Sequence, residues 1–314
     1  MRRSTGRRIL SGLRTFIQPP PKGTGGTNSA RYYYSVYLRH LVTAVAHGLS
    51  IEFREVAEIG PGESLGLGMA ALLSGATSYR AFDVVEHATP QSNLRIFDGL
   101  VDLFRTKSPI PDDLEFPEVK PSIAQYAFPS EILTANRLAS TLAANRISAL
   151  RSTVSAVVAS RNATGPVSYV VPWTNAAVLK PDSIDLIVSQ AAMEHVDKLE
   201  AAYAACFHWL KPGGMISHQV DYRSHDTADE WNGHWTYSDP TWRAIRGARP
   251  WLLNRRPHSE HIRLILEQGF ELVYVQTVTA ENRLPRVRLA RRFQAMSDDD
   301  LSTCGAFIQA RKPA

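Results

Sequence analysis

The stretch Glu58-Ile59-Gly60-Pro61-Gly62 joins an acid to two glycines directly after a short apolar run. Glycine in such a turn permits positive φ and lets the backbone lie against a ligand. A helix leaving the turn adds free N–H groups and partial positive charge. The third glycine, Gly66, falls one residue later than in the dinucleotide pattern G-x-G-x-x-G, and the acid inside the strand end departs from that pattern as well. Asp83 closes the next apolar run about 20 residues on, where a carboxylate can accept hydrogen bonds from both ribose hydroxyls. Together these residues describe a place for a nucleoside-bearing cofactor.

A second set of chemically able residues lies further along. Met193-Glu194-His195-Val196, His218-Gln219-Val220-Asp221, His225-Asp226 and His234-Trp235 concentrate imidazoles and carboxylates in some 40 residues. Imidazole titrates near neutrality and is the commonest general base. His195 is one candidate base; Asp221 with His225 is another, a base with an orienting carboxylate. Asp221, His225, Asp226 and His234 have the ligand chemistry of several divalent ions, but their spacing matches no established motif, so no metal is expected. Trp231, Trp235, Trp242 and Trp251, with Tyr222 and Tyr237, offer either an aromatic platform or a lid packed on the core. Arg255 or Arg256 offers a grip on an anion or lies at the surface.

These groups need a scaffold. Tyr33, Tyr37, Leu41 and Val45 recur every four residues and predict a helix over 31–49. Strands are predicted at 56–59, 79–83, 167–171, 184–188, 215–220, 270–278 and 305–310, with helices at 69–73, 199–210 and 258–268. Such alternation implies an α/β, Rossmann-like, doubly wound and mainly parallel seven-stranded sheet, with an antiparallel last strand. Residues 84–166 greatly exceed the dozen or so that a simple crossover needs. They read as a helical insertion, helical notably over 131–150, that either caps the site or decorates the periphery.

The glycine turn resembles the first motif of the class I S-adenosylmethionine-dependent methyltransferases, in which an acid precedes G-x-G. Ile184-Asp185-Leu186-Ile187-Val188-Ser189-Gln190 and Leu210-Lys211-Pro212-Gly213-Gly214 resemble two further segments of that family, in the right order. The resemblance implies S-adenosyl-L-methionine as cofactor. It gives Glu58 the amino group of the methionine moiety, Gly60 and Gly62 the close approach, and Asp83 with Val84 the ribose side. Ser189 and Gln190 fall at the cofactor's reactive end. Trp173 is either a wall for the adenine or a core residue. Segments 58–64, 189–196, 217–221 and 254–256 are similar to a bacterial group associated with polysaccharide or surface-glycan biosynthesis. That likeness implies O-methylation of a sugar or glycan intermediate, with a histidine base. Methylation of a natural product or other small molecule is the alternative, and a non-catalytic S-adenosylmethionine-binding protein is the alternative outside enzymes.

Composition narrows the field. With 314 residues, 44% hydrophobic and 21% charged, the chain is an ordinary globular sequence. No run approaches the roughly 20 apolar residues of a membrane span, and no secretory apolar region follows the basic start, so a cytoplasmic enzyme is expected. Cys206 and Cys304 alone exclude a disulfide framework. The net charge of +5 is gathered at residues 1–22 and at Arg283, Arg286, Arg288, Arg291 and Arg292. Residues 1–30 read as a basic, flexible segment and linker before a domain at 31–314, and the Ile9–Ile17 stretch as a weak peripheral membrane contact. The expected partner is a small-molecule or glycan-type acceptor; no nucleic acid is expected.

Overall fold

The structure is a computed structural model that describes residues 4–18 and 29–314. Its N-terminal elements are α1 (Thr5–Arg14), α2 (Ala30–Ala46), β1 (Glu55–Ile59), α3 (Gly66–Leu73), β2 (Ser78–Phe82) and α4 (Pro90–Arg105). Then follow α5 (Ala135–Thr141), α6 (Ala144–Ala156), β3 (Ala159–Ser160), β4 (Val167–Val170), β5 (Ile184–Gln190), α7 (Leu199–Trp209) and β6 (Leu210–Asp221). The chain ends with α8 (Asp239–Arg246), α9 (His258–Glu267), β7 (Glu271–Thr279), α10 (Asp298–Ser302) and β8 (Thr303–Arg311).

The strands form one sheet of order β3-β4-β2-β1-β5-β6-β8-β7. The first six are parallel, and β8 inserts antiparallel between β6 and β7. Parallel strands covered on both faces must be apolar on both, and β5 is buried at Leu186, Ile187 and Val188 alike. Alternate residues serve opposite cores. Val56, Leu186, Val188 and Met215 pack with α2, α3 and α4; Ala57, Ile59, Ile187 and Ile216 pack with α7 and α9. The expected doubly wound sheet is therefore present, with eight strands rather than seven. The extra one, β3, is a two-residue edge too short to leave a period-2 signal.

The helix expected over 131–150 is instead two helices, α5 and α6, broken at Leu142-Ala143. Residues 84–166 divide in role. Helix α4 packs on α2, α3 and α6, while the proline-punctuated stretch reaches the carboxyl end of β6. There the Gln219 Oε1 accepts from the Lys120 N–H at 2.6 Å, and its Nε2 donates to the Glu118 carbonyl at 2.8 Å. The fully buried Arg39 of α2 fixes the same stretch, donating to Asp113 and to the carbonyls of Val119 and Pro111. No helix among the described residues is long and apolar enough to cross a membrane.

Part of the N-terminal segment, expected to be loose, is helical and seated. Arg8 pairs with Asp229, and Thr15 Oγ1 accepts from the Ala248 N–H at 2.8 Å. Gly12 permits this: a Cβ there would stand 2.1 Å from the Ala244 carbonyl oxygen of α8. The helix leaves Leu10, Leu13, Phe16 and Ile17 exposed. Residues 1–3 and 19–28, which include the expected proline-glycine linker, lie outside the described residues. The Gly12→Val variant should unseat α1 and leave the sheet folded. Limited proteolysis should then cleave ahead of residue 19 faster than in the parent, and equal protection would refute the docking.

Candidate active site

Strand β1 lies between β2 and β5, so successive crossovers leave it in opposite directions. Ligands of open α/β sheets bind in the crevice at such a point, beyond the carboxyl ends of the strands. The turn after β1 enters that crevice with Gly60 at φ 73° and Gly62 at φ 68°. A Cβ on Gly60 would stand 2.5 Å from the Cβ of Ala192, in the loop after β5. Gly66 serves another purpose: its missing Cβ admits the Tyr33 ring, which a Cβ would meet at 2.3 Å. This explains why the third glycine does not keep the dinucleotide spacing. The turn is braced by the start of α4, where Asn93 Oδ1 accepts from the Leu65 N–H at 2.9 Å and Ser92 Oγ donates to the Glu63 carbonyl at 2.9 Å.

Glu58 is buried at the strand end, where it accepts a hydrogen bond from the Tyr79 hydroxyl. Burial pushes its pKa up to about 8, against the lowering effect of Tyr79 and with added repulsion from Asp83. Asp83 directly follows β2 and is also raised by burial, while the N–H groups of Val85, Val84 and Gly62 favour its charge. Its Oδ1 accepts from Val84 at 2.7 Å and from Val85 at 3.3 Å. Val84 itself is exposed beside it. A buried acid without a basic partner, a turn that no Cβ would allow and a carboxylate at the next strand end fit S-adenosylmethionine. They would hold its ammonium, its methionine chain and its ribose.

Trp173 is partly buried at the rim of a core, with its backbone N–H donating to the Asp83 carbonyl at 2.8 Å. It packs against Phe82 and Trp209, and its Nε1 donates to the Asn175 carbonyl. Ser189 is fully buried, with its Oγ 2.7 Å from His218 Nδ1 on the face covered by α7 and α9. Gln190 faces the other way. Its Oε1 is 3.2 Å from His40 Nε2, and its Nε2 donates to Gln219 Oε1 at 2.5 Å. Gln190 thus links α2, β5, β6 and the insertion at the crevice.

Beyond β5 and β6 the structure brings together Glu194, His195, Asp221 and His225. His195 Nε2 is 3.9 Å from Glu194 Oε1, His225 Nε2 is 3.2 Å from Asp221 Oδ2, and the two imidazole rings meet edge to face at 5.1 Å. Burial and the neighbouring His225 lower His195 to about 4. Burial opposes the charge of His225 too, yet the carboxylates of Asp221 and Glu194 raise it overall. Burial raises Glu194 to about 8. Asn254 clamps this turn: its Nδ2 donates to the carbonyls of Met193 and Val196, and its N–H to that of Glu194.

Of the four acids and histidines first considered for a metal, only Asp221 and His225 are ion-paired. Asp226 is exposed, and His234 is buried against Trp235 and lowered to about 3 by burial and by Arg255. Trp231, Trp235 and Trp242 are structural, whereas Trp251 is partly exposed with its backbone at His195. Trp235 packs with Leu284, Leu289 and Phe293, and Trp242 with Tyr237, Ile245 and Leu253. Arg255 is buried between Trp242 and Phe293 and pairs with Asp239, while Arg256 pairs with Glu260 at the surface. Four of the five clustered arginines also find acids: Arg283 and Arg286 meet Asp298, Arg288 meets Glu230, and Arg292 meets Asp239.

Sequence reasoning missed Tyr32. Its phenol is raised by burial, interacts with Gln190 and feels the charges of both Glu58 and Glu194. The run Tyr32-Tyr33-Tyr34 was its signal, but the helical period selected Tyr33 as the core residue. Glu194 was visible only as the neighbour of His195.

Residues 133–217 match the family profile described as "Methyltransferase domain", which spans β4, β5 and β6 and leaves the glycine turn outside. No curated protein matches the sequence. Among solved structures, the chain is similar to an S-adenosylmethionine-dependent methyltransferase from Mesorhizobium loti, with 12% identity, 87% of this chain and 97% of that one covered, and TM-score 0.42. It is similar to SAM-dependent methyltransferases from Methanosarcina mazei, with 14% identity, coverage of 86% and 97%, and TM-score 0.42. It is also similar to phosphoethanolamine N-methyltransferase 2 of Haemonchus contortus bound to S-adenosyl-L-methionine, with 12% identity, coverage of 94% and 62%, and TM-score 0.41. The sheet order, the acid–glycine turn and the matched domain define the class: an S-adenosylmethionine-dependent methyltransferase with the class I fold.

A raised carboxyl pKa has a definite sign in stability. The folded pKa of Glu58, about 8, exceeds the ordinary value of 4.5. Its burial therefore costs nothing below the ordinary value; the cost grows as pH rises from there to the folded pKa and levels off above it. Glu58→Gln should raise the urea midpoint of the ligand-free protein more at pH about 9 than at pH about 6. The same variant should lose affinity for S-adenosylhomocysteine. An equal midpoint shift at both pH values would exclude an uncompensated Glu58.

Proposed function

We propose that the protein methylates a hydroxyl of a sugar or of an intermediate in glycan biosynthesis. The observation that carries this reading is the His225–Asp221 pair, 3.2 Å apart, beside His195 beyond the carboxyl ends of β5 and β6. When bound, the cofactor supplies a methyl group already activated on a sulfonium. The chain then has to align the acceptor and remove its proton. Asp221 orients the His225 ring, and the hydroxyl proton passes to that ring as the oxygen takes the methyl. His195, held neutral by burial, contacts the acceptor without competing for the proton. Both rings are partly exposed, with side-chain accessibilities of 27% and 28%, so an acceptor can reach them.

The polar lining supports a hydroxylated acceptor. Trp235 and Trp242, which would suit a flat apolar one, are engaged in small cores of their own. The hydrogen bonds of Gln219 to residues 118 and 120, and the pairing of Arg223 with Glu118, support a cap built from the insertion. Glu58, Gly60, Gly62 and Asp83 form the cofactor half of this reading, with Gln190 at its boundary.

His225→Ala should lower kcat by roughly 10²–10⁴-fold while S-adenosylhomocysteine binding is kept. In the parent, kcat/KM should rise with pH through an apparent pKa above the ordinary imidazole value, because Asp221 and Glu194 raise His225. Asp221→Asn should move that pKa down. Full turnover in His225→Ala would remove the base. Acceptors should be screened by radiolabelled methyl transfer to sugar nucleotides, glycans and phenols; transfer to phenols alone would refute the glycan reading.

A further inference from the structure

Glu194 presents a problem that the base mechanism leaves unsolved. It is 2% exposed, its carboxylate has only the backbone N–H groups of Glu194 and Asp221 nearby, and neither oxygen makes a well-formed hydrogen bond among the described residues. A buried acid left this way is costly. Its neighbours are chemically specific: ligand atoms from Glu194, His195 and His225 all lie within 4.8 Å of one another. The rigid 193–196 turn, clamped by Asn254, presents two of the three groups.

We propose that Glu194, His195 and His225 bind one divalent cation of the zinc, cobalt or manganese kind. One carboxylate with two imidazoles is a donor set that such ions accept, whereas magnesium prefers oxygen ligands alone. Ligand distances of about 2.0–2.2 Å place tetrahedral ligand pairs about 3.4 Å apart, so the 3.9 Å between Glu194 and His195 needs only a small side-chain adjustment. Asp221 supplies the outer carboxylate that orients a metal-binding imidazole. Three protein ligands leave a coordination position open, as catalytic sites do. The partial exposure of both histidines puts that position toward solvent and an incoming acceptor oxygen. The cation is defined by the three side chains alone and does not rest on the methyl-transfer reading; while bound it occupies the free nitrogen of His225, so the ion and the His225 base are alternative states of the cluster.

The full-length, chelator-treated protein should be titrated with Co²⁺ and Zn²⁺, following heat and the Co²⁺ visible spectrum. One ion per chain is expected, with a spectrum showing nitrogen ligation. Glu194→Gln should abolish that binding, Asp221→Asn should weaken it by about 10–100-fold, and Asp226→Asn should leave it unchanged. Circular dichroism reports whether each variant is folded. Should Glu194→Gln fail to fold, His195→Asn takes its place. Absence of stoichiometric binding, or undiminished binding by the folded ligand variant, overturns the site. Binding of Mg²⁺ in preference to Co²⁺ and Zn²⁺ overturns the ion class.

Discussion

Burying an acid in a low-dielectric crevice disfavours its charged form unless a cation or several donors stand beside it. Glu58 and Glu194 are both buried at the carboxyl edge of the sheet, and both are pushed to about 8. Glu58 has only the Tyr79 hydroxyl, and Glu194 has only the backbone N–H groups of Glu194 and Asp221 nearby, without a well-formed hydrogen bond among the described residues. Their cost falls on the folded protein and can be offset only by something that enters the crevice. Each acid thereby favours a positive ligand group at its own position. Tyr32, which feels the charge of both, lies between the two halves.

The scaffold keeps these acids from relaxing. Tyr79 holds Glu58 and is itself boxed in by α3, where a Cβ on Gly68 would stand 2.1 Å from its ring. The turn bearing Glu194 is fixed by Asn254, sixty residues further along the chain. Gln190 and Gln219 tie β5 and β6 to each other, to His40 of α2 and to the insertion. Because these ties join distant parts of the chain, the crevice forms only when the sheet does.

That origin decides what the sequence could show. The cofactor half was legible because its signals are local: an acid, two glycines and a second acid at successive strand ends. The strands themselves were legible because both faces are buried, which leaves short apolar runs such as 184–188. The acceptor half was legible only in outline. The concentration of His, Asp and Glu marked it, but nothing local separates His225, raised beside Asp221, from His234, buried against Trp235. Trp235, Trp242 and Arg255 looked like binding groups because a sequence gives composition without direction; the fold turns them inward. Gln219 and Asn254 fell in segments that carried a resemblance but not these roles, and Arg39 gave no signal, since each acts chiefly through partners distant in the chain.

The two imidazoles then acquire different tasks from nearly identical surroundings. His195 and His225 touch, and a positive charge on one disfavours a charge on the other. Asp221 settles which ring takes the proton: it stands 3.2 Å from His225, whereas the carboxylate oxygen paired with His195, from Glu194, is 3.9 Å away. At His195, burial, His225 and Arg246 outweigh the raising effect of Asp221. A cation between Glu194 and the two rings would reverse this balance. It would favour the ionised acid and two neutral imidazoles, since metal ligands must be deprotonated. The same cluster thus has two protonation patterns, one suited to accepting a proton and one to holding a cation. The charge placed in the crevice selects between them.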